Sequence, residues 1–324
     1  IYKQKTEFFV GEQKSICIEG GLFMIVPRYY ENLSVLHENT MPARAYYIPA
    51  SRRMDNLVEH REESDRMQLL NGTWKFKYFN SIYDIKDSFF EKNYDTKNFD
   101  EIQVPSVWQM AGYDTHQYTN IRYPFPFDPP YVPQDIPCGA YVHTFEYSRD
   151  EKASRAFLNF EGVDSCFYVW LNGFYVGYSQ VSHMTSEFDI TDLLQDGANT
   201  IAVLVMKWCD GSYLEDQDKF RMSGIFRDVY ILKRPNQAIS DYHIKTRIED
   251  MLAKVELDVK FYSPVNVKIS IEDENGAVVA VGSIAGEGTA VVEIANPELW
   301  NTENPYLYKL ILETENEVIV DHIA

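Results

Sequence analysis

The run Cys166-Phe-Tyr-Val-Trp-Leu, then Asn172-Gly173, then Phe174-Tyr-Val-Gly-Tyr constrains the fold more than any other stretch. Asn-Gly readily takes the two consecutive positive φ angles of a type I′ turn, whose twist matches the strands it joins. The segment therefore predicts an antiparallel hairpin. Related signals recur along the chain. Trp74, Phe76 and Tyr78 alternate after Asn71-Gly72. Gly139–Tyr147 and Arg155–Glu161 read as strands. Val255, Leu257, Val259 and Phe261 alternate with Glu256, Asp258 and Lys260, and Val265, Val267, Ile269 and Ile271 alternate before Asn275-Gly276. Many short strands with turn residues between them and little helical periodicity predict an all-β fold built from sandwiches. A chain of 324 residues has room for two domains. Pro235 and the polar run after it mark the expected boundary, which should be open to proteases between 233 and 241. Residues 54–235 form the first sandwich and 236–324 an immunoglobulin-like one, its last strand incomplete near residue 324. Residues 29–53 lack a clear period and are expected to be an extended arm.

Charge narrows the partners. Asp and Glu number 49 against 30 Lys and Arg, a net charge of −19. Such acidity argues against nucleic acid and anionic membrane surfaces and suits neutral ligands. No apolar run is long enough to span a bilayer. Cys17, Cys138, Cys166 and Cys209 show no CxxC spacing and are expected to be reduced thiols in a cytoplasmic protein. The 23 tyrosines favour sandwich cores and cross-strand pairs, and some could stack on sugar rings.

Between the strands Thr200–Met206 and Val229–Leu232 lies a loop of about twenty residues, far longer than such a connection needs. It carries Trp208, Tyr213, Phe220 and Phe226, the acids Asp210, Glu215, Asp216, Asp218 and Asp228, and Arg221 and Arg227. A glycosidase needs two carboxyl groups flanking the scissile bond. Five acids this close in sequence read instead as a solvated or hydrogen-bonded face, because a catalytic acid needs an apolar, shielded seat to raise its pKa. Arg221 and Arg227 are expected in internal ion pairs. No Gly-x-Ser-x-Gly elbow supports serine catalysis.

The loop text, Asp210-Gly-Ser-Tyr-Leu-Glu-Asp-Gln-Asp with Arg221-Met-Ser-Gly-Ile-Phe-Arg-Asp, resembles the large β-galactosidases of glycoside hydrolase family 2. The glucuronidase and mannosidase branches usually keep only a degenerate form of the second part. The resemblance runs from about Tyr29 to the end of the chain and implies a galactose-binding-like jelly roll followed by an immunoglobulin-like sandwich. It implies a parent enzyme that hydrolyses terminal β-galactosides such as lactose with retention, through glutamates on a barrel domain that lies beyond this chain. The chain itself is then non-catalytic. Asp210 is implied to contact galactosyl hydroxyls and to ligate sodium, and magnesium is expected only in the absent barrel. In Val104-Pro-Ser-Val-Trp-Gln-Met the family typically places a sugar-binding asparagine where this chain has Val107, whose side chain has neither donor nor acceptor. Trp108 reads as a core residue. The resemblance further implies a homo-oligomer. A stand-alone carbohydrate-binding module or an assembly module is the competing reading. The first residues, 1–28, are expected to be a leader or extension outside the fold, because Glu19-Gly-Gly ahead of Met24 could encode a ribosome-binding sequence with Met24 as the start.

Overall fold

The computed structural model describes residues 24–120, 122–215 and 218–324. The leader expected at 1–23 lies outside the described residues. The fold is all-β, and its named strand pairs are antiparallel. By contacts the chain gathers into two compact units.

The first unit holds Leu70–Ser148, Asn159–Val229 and the chain up to Met41. Its main sheet has seven strands: β1 (His37–Glu38), β2 (Gly72–Phe79), β3 (Asp100–Val104), β4 (Cys138–Tyr147), β5 (Cys166–Leu171), β6 (Phe174–Gln180) and β7 (Gly197–Met206). The order is β1-β6-β5-β7-β4-β2-β3. The β5–β6 hairpin turns at Asn172 (φ 54°) and Gly173 (φ 87°), the geometry that the Asn-Gly pair predicts. The Asn172 amide donates to Leu193 O and Asn199 Oδ1 and accepts from Thr200 N, so the turn is tied from three sides. Strand β7 runs down the middle, with Met206 opposite Cys166 and Ile201 opposite Leu171. Its residues Ile201–Met206 are all buried. One face packs Tyr168, Trp170, Leu204 and Met206 into a core with Phe89 and Ile136. Each large apolar side chain buried there contributes about 1.5–3 kcal/mol. Met24 and Val26 belong to the same core, and Tyr168 Oη donates to Pro27 O. The described residues 24–28 are therefore part of the fold and not an appendage to it. Their apolar side chains have a core to enter.

The second unit comprises Pro42–Leu69, Arg149–Leu158 and Tyr230–Ala324. Its strands β8 (Ile239–Glu249), β9 (Leu252–Phe261), β10 (Asn266–Glu272), β11 (Val278–Ala285), β12 (Gly288–Ala295), β13 (Tyr308–Glu313) and β14 (Val318–Ile323) form two sheets, β8-β9-β12 and β11-β10-β13-β14. Val255, Leu257, Val259 and Phe261 face inward with Val267, Ile269 and Ile271, as their alternation predicts. Strand β14 pairs with β13 from Glu313 opposite Val318 to Tyr308 opposite Ile323. Tyr47 enters this core and donates to Ile239 O. Arg234, expected in an open linker, is sealed instead. It forms a two-pronged ion pair with Glu317 at 2.6 and 2.7 Å, both side chains 1% exposed, and donates to Ile239 O. Its guanidinium also lies over the Tyr47 and Tyr262 rings. Beside Arg234, Asn236 and Gln237 are exposed outside any strand, while Ala238 and Ile239 are buried.

Candidate functional site

The two stretches that the sequence singles out, 104–120 and 207–228, meet in the first unit. Ser106 N donates to Ile225 O and Trp108 N to Ser223 O, each at 2.8 Å. Ser223 N donates to Gln109 Oε1 at 2.9 Å. The Gln109 amide reaches Asp114, which also takes a 2.6 Å ion pair from Lys207. Farther along, Tyr118 pairs with Phe220 and Gln117 with Arg221. Gly224 makes the approach possible. Its φ is +126°, and a Cβ there would stand 2.9 Å from Ser106 O and 3.1 Å from Tyr141 Oη. Beneath this frame Trp108 is fully buried and donates from its indole to Tyr141 Oη at 2.6 Å, which makes it the core residue expected.

Asp210 opens a short 3-10 turn, Asp210–Tyr213, shortly after β7 ends at Met206. Its side chain is enclosed, 4% exposed. Oδ1 accepts from Gly211 N at 2.9 Å. Oδ2 is buried and has no hydrogen-bond partner among the described residues. Burial pushes its pKa up, while the Gln180 amide and the Gly211 and Asn32 backbone N–H groups pull the other way. Gln180 Nε2 donates to Val35 O, and its Oε1 accepts from Cys209 Sγ at 3.4 Å. A Cβ at position 211 would lie 2.6 Å from Gln180 Oε1, so glycine lets this amide come close. Within its own unit the Asp210 carboxylate is thus largely covered. A buried anionic oxygen without a hydrogen-bond donor is a ligand that suits a small hard cation. Among the described residues no three His, Cys, Asp or Glu side chains cluster as a metal site.

Among the described loop acids the exposed one is Asp218. It accepts from Tyr118 Oη. Tyr118 (51% exposed) and Phe220 (57%) stand beside it, their rings 5.8 Å apart, and His116 packs edge-on against Phe220 at 5.1 Å. A carboxylate acceptor flanked by exposed aromatic faces is a chemistry that holds a sugar: the acid takes hydroxyls and the rings take the apolar face. Val107, half-buried, adds no polar atom from its side chain, and its carbonyl accepts from Met110 N and Ala111 N.

The remaining loop acids in the described residues are separately engaged. Glu215 Oε1 accepts from Ser182 N, and Asp228 accepts from Asn71 Nδ2. Arg227 donates to His183 O and lies over the Phe226 ring, and Arg221 lies over Trp208. Sequence reading passed over Asp164 entirely. Burial pushes its pKa up to about 6; Ser165 Oγ, which donates to Oδ1 at 2.8 Å, and Lys219, 3.9 Å from Oδ2, hold it down, while Glu215 raises it. His183, donor or acceptor to Ser182 Oγ at 2.8 Å, has its pKa lowered by burial and by Lys219 and Arg227. Cys138, Cys166 and Cys209 are free, buried thiols, and Cys17 lies outside the described residues. No helix among the described residues is long and apolar enough to cross a membrane.

Comparison with known proteins agrees with this frame. Residues 67–235 match the sugar binding domain of glycosyl hydrolases family 2, and residues 237–324 match a further domain of glycosyl hydrolases family 2. The β-galactosidase of Actinobacillus pleuropneumoniae is 46% identical over 304 residues, and that of Staphylococcus xylosus 44% over 303. Each alignment covers 93% of this chain but only 29% and 30% of the relative, so the chain spans about a third of the length of these proteins. Among solved structures, a β-glucuronidase of an uncultured Clostridium sp. superposes with a TM-score of 0.61 at 21% identity, covering 80% of this chain and 44% of its own. A Ruminococcus gnavus β-glucuronidase gives 0.63 at 17%, covering 80% and 43%. At such identities the likeness is one of fold.

Proposed function

The chain belongs to glycosyl hydrolases family 2, and from that premise we propose that it is the sugar-binding portion of a β-galactosidase that cleaves terminal β-D-galactosides such as lactose with retention. The observation that carries the proposal is the identity of 44–46% to two β-galactosidases along almost the whole chain. In this reading the chain is not catalytic by itself. A retaining pair stands about 5–5.5 Å apart and works as acid and nucleophile, whereas Glu215, Asp218 and Asp228 each serve a different partner. Asp218, Tyr118 and Phe220 hold the sugar, and the Val107 side chain adds no hydrogen bond to it. Asp210, whose Oδ2 has no hydrogen-bond partner among the described residues, holds a cation, taken as sodium, and also contacts galactosyl hydroxyls in the whole enzyme. Such an ion would neutralise the enclosed carboxylate and brace the arm against the loop. Assembly as a cytoplasmic homo-oligomer belongs to the same reading.

The test is a replacement. The chain is substituted for the matching segment of the Actinobacillus pleuropneumoniae enzyme, and hydrolysis of a chromogenic β-galactoside is followed for the chimera and for the isolated chain. The chimera should be active and the isolated chain inert. Asp218→Asn in the chimera should lower kcat/KM about ten- to a hundredfold, the loss of one charge-assisted hydrogen bond of about 1.5–3 kcal/mol. Turnover by the isolated chain that Asp164→Asn abolishes would overturn the proposal and make Asp164 and Glu215 the working pair.

A further inference from the structure

A second concave site lies at the other end of the main sheet. The long loop leaves β7 at Met206, opposite Cys166. The β5–β6 turn lies beyond Leu171, opposite Ile201. Five residues of strand separate these levels, about 17 Å at roughly 3.4 Å per residue. Under the turn is a cleft of about 250 Å³ lined by Glu91, Lys92, Asn93, Asn172, Gly173 and Phe174. Its walls are held in place by packing and hydrogen bonds. Phe90 stacks on Trp170 at 4.6 Å with the rings 7° apart, which anchors the segment carrying Glu91–Asn93. Lys92 Nζ donates to Gln195 Oε1 at 2.6 Å. The Asn172 amide is spent on Leu193, Asn199 and Thr200, so it shapes the cleft without binding anything in it. A Cβ at Gly173 would sit 3.5 Å from Lys92 N, which shows how closely the turn approaches the opposite wall.

What remains free to meet a ligand is one aromatic face, one carboxylate and one amide: Phe174 (43% exposed), Glu91 and Asn93. We propose that this cleft is a second carbohydrate site, seating one neutral pyranose ring outside the site formed by the two loops. The aromatic face takes the apolar side of the ring, and Glu91 and Asn93 take hydroxyls, which act as both donors and acceptors. The cleft is smaller than the roughly 300–1,000 Å³ of a usual small-molecule pocket, which limits its occupant to a single ring. Anionic ligands are excluded by Glu91 and by the net charge of −19. Such a site would tether a saccharide chain to the first unit while another ring occupies the loop site.

The intact 324-residue chain, deuterated and 15N-labelled, is titrated with lactose and with methyl β-galactoside while the amide resonances of Lys92 and Gly173 are followed. Saturable shifts at both amides are expected in the range of about 1 mM or weaker. Phe174→Ala and Asn93→Ala should each weaken this response at least tenfold or remove it, with the remaining spectrum unchanged, which shows that the variants fold. Asp218→Asn should leave it intact, so this site stands or falls independently of the loop site. Lys92 and Gly173 amides that do not move in the unmodified chain, or that move equally in both cleft variants, overturn the proposal.

Discussion

Replacing Asp164 by Asn should stabilise the first unit at neutral pH and not in acid. The folded environment raises this carboxyl from 3.8 to about 6, chiefly because its surroundings exclude water from the ion. A group whose folded pKa is raised favours the protonated fold. Its contribution is complete below the unfolded value near 3.8 and is lost as the pH climbs through 6. A shift of about two units corresponds to about 3 kcal/mol of penalty above pH 7. Asparagine keeps the hydrogen bond from Ser165 Oγ but loses the attraction of Lys219 and Arg221, so a net gain of about 1–3 kcal/mol is expected at pH 8. For a unit of this size that is a rise in Tm of about 2–4 °C per kcal/mol. The assay is thermal and urea denaturation of both proteins at pH 4 and pH 8. All other titrating groups are common to both, so the difference between them isolates position 164. At pH 8 the variant should be the more stable, and at pH 4 the two should nearly coincide. An equal difference at both pH values, or a variant less stable at pH 8, refutes the reasoning. It would mean that Lys219 and Arg221 outweigh the burial of the anion.

Three further outcomes follow from described contacts. Arg234→Ala leaves Glu317 buried and unpaired, and should cost the second unit about 3–5 kcal/mol in urea denaturation. Gly224→Ala places a Cβ 2.9 Å from Ser106 O at φ +126° and should destabilise the first unit by about 1–3 kcal/mol, read by the same method. Calorimetry of the chain should show Tm rising with sodium in the unmodified protein and not in Asp210→Asn; a rise with magnesium but not sodium would reassign the ion at the orphaned Oδ2.

What the sequence reveals here is what lies close along it. The Asn172-Gly173 hairpin and the inward face of Val255–Phe261 follow from a turn preference and a two-residue period, and both are local. The long loop stands out because its length exceeds any need of the strands it joins. Its partner at 104–120 has no period, since its order comes from hydrogen bonds to Ser223 and Ile225, more than a hundred residues away. The Tyr118–Phe220 pairing is two residues long, too short for alternation to register. Asp164 is a single acid in an apolar run, and its perturbation comes chiefly from burial, which depends on how distant parts of the chain cover it. Arg234 looks like linker because Glu317, which buries it, is 83 positions away. Asp210 shows the limit from the other side. A motif can mark a residue as special without saying how deeply its side chain is buried, and this one is 4% exposed within its own unit.

The hydrogen bonds from Ser106 and Trp108 to the opposing loop have a consequence for how this site can change. Both bonds use main-chain atoms, and the side chain between them belongs to Val107, whose own carbonyl is held by Met110 and Ala111. The frame is therefore indifferent to what stands at 107. A lineage, or a mutant library, can exchange valine for a polar residue there without renegotiating the fold, and so can retune ligand preference at almost constant stability. Position 224 has the opposite character, since its backbone angle and its neighbours leave room only for hydrogen in place of a side chain. Selection on this surface should thus find its variation at 107 and its conservatism at 224.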